Sequence, residues 1–181
     1  MKRLAVSAAL LVLTACVSGF GAALPADVAE QVAKFKDPNP KVRQQALTAL
    51  GKLGDKAKPA LPEITEMVND KHTWVMTRAL MVLPDIGPDE TTVKPLLPFL
   101  SRDKDVRDMA VLVYVKIGEK AVPSLVEALK DEKSAEGACD ALAGIGPAAK
   151  AAVPDVTAVM QKGKTKPVKD AAAKALKAIS K

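Results

Sequence analysis

A glycine preceded by leucine or isoleucine recurs along most of this chain at a nearly constant interval. The recurring glycines are Gly54, Gly87, Gly118 and Gly146, and successive members are 33, 31 and 28 residues apart. Several copies of one pattern at such a period are typical of proteins built from stacked structural repeats. The sequence therefore predicts a repeat array rather than a single compact core.

Apolar residues within each unit follow a helical spacing. Position 0 of the successive units is Val42, Val75, Val106, Ser134 and Val168. Apolar residues then recur at positions 4, 5, 7, 8 and 11, which places them on one broad face of a helix. Position 4 is always alanine (Ala46, Ala79, Ala110, Ala138, Ala172) and position 8 is large (Leu50, Leu83, Tyr114, Leu142, Leu176). We expect the alanines to let neighbouring helices approach closely and the large residues to fill the remaining space.

Glycine and proline mark the turn inside each unit. The glycine after position 11 fits a helix C-terminus, where a left-handed backbone is needed. Proline is tolerated in the first turn of a helix, so a second helix is predicted to begin near each of four prolines. These are Pro59, Pro95, Pro123 and Pro154. Each unit is thus predicted to be a helix, a tight turn and a second helix, which makes the fold all-α.

Four segments of the chain carry related motifs: D-P-N-P-K-V-R-Q-Q-A from Asp37 to Ala46, D-V-R-D-M-A from Asp105 to Ala110, and the I-G…A-V-P segments Ile117–Pro123 and Ile145–Pro154. These segments resemble the short HEAT repeats of bacterial proteins. The resemblance covers residues 37–181. It implies a right-handed α-solenoid of about four and a half helix pairs.

The second repeat departs from this pattern, because Met76 stands where its neighbours have Arg43 and Arg107. In HEAT proteins such arginines commonly pair with acids along the stack. The resemblance therefore implies a structural role for both arginines, with Asp37 as the acid for Arg43 and Asp103 or Asp105 as the acid for Arg107.

Residues 1–24 predict an export signal, because Lys2 and Arg3 precede an apolar stretch without acids. The run Leu13-Thr14-Ala15-Cys16 resembles a bacterial lipobox. Cys16 would then carry lipid and anchor a lipoprotein of the cell envelope. Gly21-Ala22-Ala23 would instead suit an ordinary signal peptidase and give a secreted or periplasmic protein. An uncleaved anchor over Leu4–Leu24 is a third possibility.

The remaining chain divides into two parts. Residues 25–36 are predicted to form a capping helix or linker, and residues 37–181 the repeat domain. Cys139 falls in the buried column at position 5, where it is expected to act as a small apolar residue.

The net charge of +6 is concentrated near the C-terminus. Residues 160–181 hold one acid and seven lysines: Lys162, Lys164, Lys166, Lys169, Lys174, Lys177 and Lys181. This basic tail could bind anionic membrane or glycan, or it could be the polar cap that a terminal repeat needs. The predicted second helices are mixed to acidic, so nucleic acid is not expected as a partner.

Trp74 and Met76 begin the second repeat at positions that are mostly polar in the other repeats. Large apolar side chains of this kind are favoured where a protein partner is bound, so these two residues are the predicted contact patch. The alternative is that Trp74 folds back over the preceding second helix and fills a local gap.

The sequence contains no pattern that predicts catalysis. His72 is the only histidine, and there is no paired-cysteine metal site or phosphate-binding glycine loop. No catalytic, metal or cofactor site is therefore predicted. The favoured function is a protein–protein interaction scaffold or adaptor of the bacterial cell envelope, with an unknown protein partner. Some short bacterial HEAT-like proteins resemble phycobilin lyases, so a lyase-like or ligand-processing protein is the alternative.

Overall fold

The computed structural model describes residues 24–181, and this part of the chain contains ten α-helices and no strand. The helices are α1 (Ala26–Ala33), α2 (Pro40–Leu53), α3 (Leu61–Glu66), α4 (Thr73–Ile86), α5 (Val93–Leu96), α6 (Lys104–Ile117), α7 (Val122–Ala128), α8 (Glu132–Ile145), α9 (Val153–Lys162) and α10 (Lys166–Ile179). The predicted all-α class is confirmed. The predictions on the export signal and on Cys16 concern residues outside this range.

The helices form two layers. The first helices of the repeats (α2, α4, α6, α8 and α10) each pack against the next, and each also contacts a second helix (α1, α3, α5, α7 or α9). This arrangement is an α-solenoid of four complete pairs, with α10 as the final half and α1 before the first pair. Within residues 24–181, no helix is both long and apolar enough to cross a membrane.

The predicted columns of the repeat form the core. The five alanines at position 4 are at most 1% exposed, and four of the five large residues at position 8 are fully buried. Tyr114 is the bulkiest of these, and its hydroxyl donates a hydrogen bond to the carbonyl oxygen of Val93 at 2.9 Å. The column at position 5 is buried at Leu47, Leu80 and Cys139, partly exposed at Val111, and exposed at Ala173 on α10. Close packing of first helices is therefore built on small residues, as the pattern predicts.

The glycine that ends each of α2, α4, α6 and α8 has a positive φ, between 54° and 84°. At Gly54, Gly118 and Gly146 the ψ angle is between −130° and −140°, a combination that side chains other than glycine rarely adopt. The predicted turn chemistry is thus confirmed.

The second helices begin at proline, but not always at the predicted one. Pro123 and Pro154 lie in the first turns of α7 and α9, and Pro95 lies inside the short helix α5. Helix α3 begins at Leu61, close to Pro59 as predicted, but Pro59 belongs to a 3₁₀ segment and the proline in the first turn of α3 is Pro62. Two prolines three residues apart both satisfy the pattern, so the sequence alone does not decide between them.

Candidate partner-binding surface

Three large apolar side chains in the described part of the chain are well exposed to solvent. They are Trp74, Met81 and Leu112, with exposed fractions of 46%, 50% and 60%. Trp74 and Met81 are seven residues apart on α4, which puts them on one face two helical turns apart. Met81 and Leu112 occupy position 6 of α4 and α6, which pack side by side. We call these three residues the apolar surface.

The corresponding positions in the other repeats are mostly polar. Position 6 holds Thr48, Asp140 and Lys174 on the remaining first helices, and the position of Trp74 holds Lys41, Asp105, Lys133 and Pro167. Single exposed apolar residues are ordinary on protein surfaces. Three of them on neighbouring helices, in columns that are otherwise mostly polar, indicate a surface adapted to contact another molecule.

The predicted contact between a partner and Met76 is contradicted by the structure. Met76 is only 6% exposed and belongs to the hydrophobic core, so it does not share a surface with Trp74. The reason is that position 1 points into the junction with the next repeat, where Arg43 is also only 5% exposed. Sequence reasoning missed Met81 and Leu112, although a comparison of residues along position 6 would have shown them.

A groove continues from the apolar surface across α6, α8 and α10. Its volume is about 720 Å³, and Leu112 stands at its rim. Its apolar lining residues are Val111, Val115, Ala143, Gly144 and Ala178. A Cβ atom at Gly144 would lie 2.3 Å from the side chain of Val115, so α6 and α8 meet closely there. The small residues Ala143 and Gly144 of α8 therefore leave room for the groove above the close contact between α6 and α8.

The charged residues around this groove are paired with one another. Arg107 on α6 donates to Glu136 on α8 at 2.8 Å, and Lys174 on α10 donates to Asp140 on α8 at 3.0 Å. The predicted pairing of Arg107 with Asp103 or Asp105 is therefore wrong. Since opposite charges neutralise each other along the rim, the groove is suited to recognition through apolar contact.

Arg43 joins the first two repeats through a buried ion pair. Its Nε and Nη2 atoms donate to the two carboxylate oxygens of Asp70 at 2.7 and 2.9 Å, and Nη1 donates to the carbonyl oxygen of Asp37 at 2.8 Å. The hydrogen bonds from Arg43 lower the pKa of Asp70, and a backbone bond from His72 lowers it further. Arg43 is structural as expected, but its carboxylate partner is Asp70 and not Asp37.

The seven lysines of the predicted basic tail are exposed but do not form one cluster. Lys162, Lys164 and Lys166 surround the turn between α9 and α10. Lys177 and Lys181 lie at the other end of α10, roughly 20 Å away at 1.5 Å per residue. The structure therefore divides the tail between two edges of the solenoid, and its binding role stays a prediction.

Cys139 is fully buried, and burial raises the pKa of its thiol to about 12. Its thiol is therefore protonated at neutral pH and shielded from reagents. His72 lies beside Trp74, with ring centroids 6.4 Å apart. Within the described residues, no three histidine, cysteine or acidic side chains are placed to hold a metal ion together.

The stacked helix pairs, glycine turns and small-residue junctions define a two-layer helical-repeat protein. The family model of HEAT repeats matches residues 27–112 and again residues 93–177. The chain therefore belongs to the HEAT-repeat family, as its motifs predict. No curated protein matches it in sequence.

Three solved structures share the fold at low sequence identity. An engineered protein is 21% identical with a TM-score of 0.54, over 84% of this chain and 79% of the other. The complex of CpcE and CpcF of phycocyanin lyase from Nostoc sp. PCC7120 is 20% identical with a TM-score of 0.57, over 90% and 68%. A designed armadillo repeat protein is 17% identical with a TM-score of 0.50, over 84% and 99%. These likenesses show the fold alone.

Proposed function

We propose that this chain is a non-enzymatic scaffold that binds another protein through the apolar surface. The observation that carries the proposal is the exposure of Trp74, Met81 and Leu112 in columns that are mostly polar elsewhere. The groove beside Leu112 extends this surface with further apolar area. A partner that buries these side chains would gain the free energy of removing them from water.

The position of these residues on helices favours this role. The helices α4 and α6 are packed on both sides by other first helices, so their side chains are presented on a rigid support. Binding then requires little ordering of the backbone, which reduces the entropic penalty of association. Exposed tryptophan and methionine are also enriched in protein interfaces.

The experiment is affinity capture from the native cell envelope, followed by mass spectrometry. Wild type is compared with the triple variant Trp74→Ser/Met81→Gln/Leu112→Gln and with a control, Thr48→Gln/Asp105→Asn. The control changes equivalent positions on other first helices. We expect a protein partner that wild type and the control retain and that the triple variant loses.

Thermal unfolding checks that all three proteins are folded. Equal capture by the triple variant would show that the partner does not use the apolar surface. Absence of any retained protein would contradict the scaffold proposal and favour the lyase-like or ligand-processing alternative. The likeness to phycocyanin lyase supports no activity for this chain, because it extends to the fold only.

We further propose that the scaffold works in the cell envelope, anchored by lipid on Cys16. The support is the lipobox-like run that ends at Cys16 within residues 1–24. Labelling of the full-length chain with a radioactive fatty acid tests this, and Cys16→Ser should abolish the label. Label that persists in Cys16→Ser, or no label in wild type, would contradict lipid attachment at this residue.

A further inference from the structure

The five turns that precede the first helices lie along one edge of the solenoid. Neighbouring turns are joined by hydrogen bonds at both ends of the array. Arg43, near the start of α2, donates both to the carbonyl oxygen of Asp37 and to Asp70 of the next turn, and the backbone N–H of Lys164 donates to Glu132 of the preceding turn at 2.8 Å. We call the segments 34–41, 70–74, 101–105, 129–133 and 162–167 the turn edge.

The acids of the turn edge are largely engaged within the protein. Asp103 and Asp131 accept backbone N–H groups at the starts of α6 and α8. Asp37 accepts the N–H of Asn39, Glu132 accepts that of Lys164, and Asp70 binds Arg43. These five carboxylates therefore have hydrogen-bond partners within the protein, while Asp103 and Asp131 also remain exposed to solvent, as does Asp105.

The cations of the same turns point away from the protein. Eight of them are exposed and have no ion-pair partner within residues 24–181. They are Lys36, Lys41, Lys71, Arg102, Lys133, Lys162, Lys164 and Lys166. Every one of the five turns contributes at least one. With neighbouring helices 8–10 Å apart, the row is about 40 Å long.

Trp74 stands within this row of cations, where the turn edge meets the apolar surface. It is 46% exposed and lies next to His72 of the same turn. Tryptophan has an apolar body and a polar N–H, and it is enriched at the level of lipid headgroups. Basic segments in turn are attracted to the negative surface of bilayers that contain anionic lipid.

We infer that the turn edge lies against an anionic lipid bilayer, with the row of cations on the headgroups and Trp74 at the interface. A soluble polyanion would match the cations, but it would not require an exposed indole among them. The cations that carry the inference lie outside the apolar surface, whereas Trp74 belongs to both the apolar surface and the turn edge.

The opposite edge of the solenoid provides a matched control. The last turns of the first helices and the segments that follow them also carry exposed lysines, including Lys52, Lys56, Lys116 and Lys150. We compare the turn-edge variant Lys36→Glu/Lys71→Glu/Lys133→Glu/Lys164→Glu with Lys52→Glu/Lys56→Glu/Lys116→Glu/Lys150→Glu. Both variants change the net charge equally and keep Trp74.

The assay uses the full chain carrying Cys16→Ser, with vesicles of phosphatidylcholine alone or mixed with phosphatidylglycerol. Trp74 is the only tryptophan, so its fluorescence reports contact at the turn edge and not insertion of the N-terminal segment. We expect a blue shift with anionic vesicles only, lost at high salt because ions screen the attraction. The turn-edge variant should bind the anionic vesicles more weakly by about a hundredfold or more, and the control variant within about threefold of wild type.

Equal weakening in both variants would overturn the inference, since net charge alone would then explain binding. An unchanged tryptophan emission on anionic vesicles would overturn it as well. Stronger binding to heparin than to vesicles would assign the edge to a soluble polyanion instead. Capture of a protein partner is a separate measurement, and its triple variant also changes Met81 and Leu112, which lie outside the turn edge.

Discussion

The junction between the first and second repeats and the junction between the second and third repeats both bury the side chain at position 1, but the chemistry of that side chain differs. Between the first two repeats, position 1 is Arg43, which forms a buried, bidentate ion pair with Asp70. Between the second and third repeats, position 1 is Met76, which is buried in the hydrophobic core. The backbone directs both side chains into the junction, so burial is set by the fold and only the chemistry differs.

The difference follows from the residue that the next repeat supplies. Asp70 lies five residues before position 0 of the second repeat, and the equivalent residue of the third repeat is Ser101. An arginine buried without a carboxylate would be strongly destabilising, so methionine is the compatible residue at the second junction. In the third junction the equivalent residue is Leu129, and Arg107 pairs with Glu136 instead.

The largest expected effect comes from Asp70→Ala, which leaves the guanidinium of Arg43 buried without its partner. Both side chains of the pair are less than 10% exposed. Removal of one member of such a pair typically lowers the free energy of unfolding by about 3–5 kcal/mol. Urea unfolding followed by circular dichroism measures this loss.

The control for this variant gives the first junction the residue types found at the second junction, where Met76 and Ser101 occupy the equivalent positions. In Arg43→Met/Asp70→Ser the two charges are removed together, and most of the lost stability should return. A double variant as unstable as Asp70→Ala would show that the unpaired charge is not the cause.

Acidification should destabilise the junction between the first two repeats in wild type, but not in the variant Arg43→Met/Asp70→Ser. The pKa of Asp70 is lowered in the folded protein, because Arg43 and the N–H of His72 donate hydrogen bonds to it. Its contribution is therefore complete above the unfolded-state pKa of about 3.9 and is lost as the pH falls through the lower folded value. Unfolding free energies measured from neutral to acidic pH should fall more steeply in wild type than in Arg43→Met/Asp70→Ser. Parallel curves would contradict this assignment.

The smallest effect is expected at the third junction. Arg107 makes a single hydrogen bond to Glu136, and the two side chains are 14% and 30% exposed. Such partly solvated pairs contribute about 1 kcal/mol or less, so Glu136→Ala should lower the unfolding free energy by no more than that. The same urea titration checks it, and a loss equal to that of Asp70→Ala would mean that exposure does not distinguish the junctions.

The sequence predicts the helices well because their signals are local and repeated. The alanine column, the glycine after Leu53 or Ile117, and the prolines of α7 and α9 each act within a few residues of their position. The choice between Pro59 and Pro62 was missed because both fit the same local rule. Short-range sequence patterns therefore determine most of the fold.

The candidate site was less predictable because it depends on contacts between repeats. Trp74 could be recognised as an unusual residue in its column, but the burial of Met76 depends on the next repeat, which covers it. The carboxylate partner of Arg43 is 27 residues away, and the nearer Asp37 offers only its carbonyl oxygen. Likewise, the cations of the turn edge are scattered in sequence and meet only when the turns are stacked.

The five first helices all have 14 residues, whereas the second helices have between 4 and 10. The repeats differ in length, and the helix that varies is the second one, while the length of the first helix is constant. A substitution on a first helix can therefore change what the face contacts without shifting the neighbouring helices out of register. A protein of this design can acquire a new partner one column at a time.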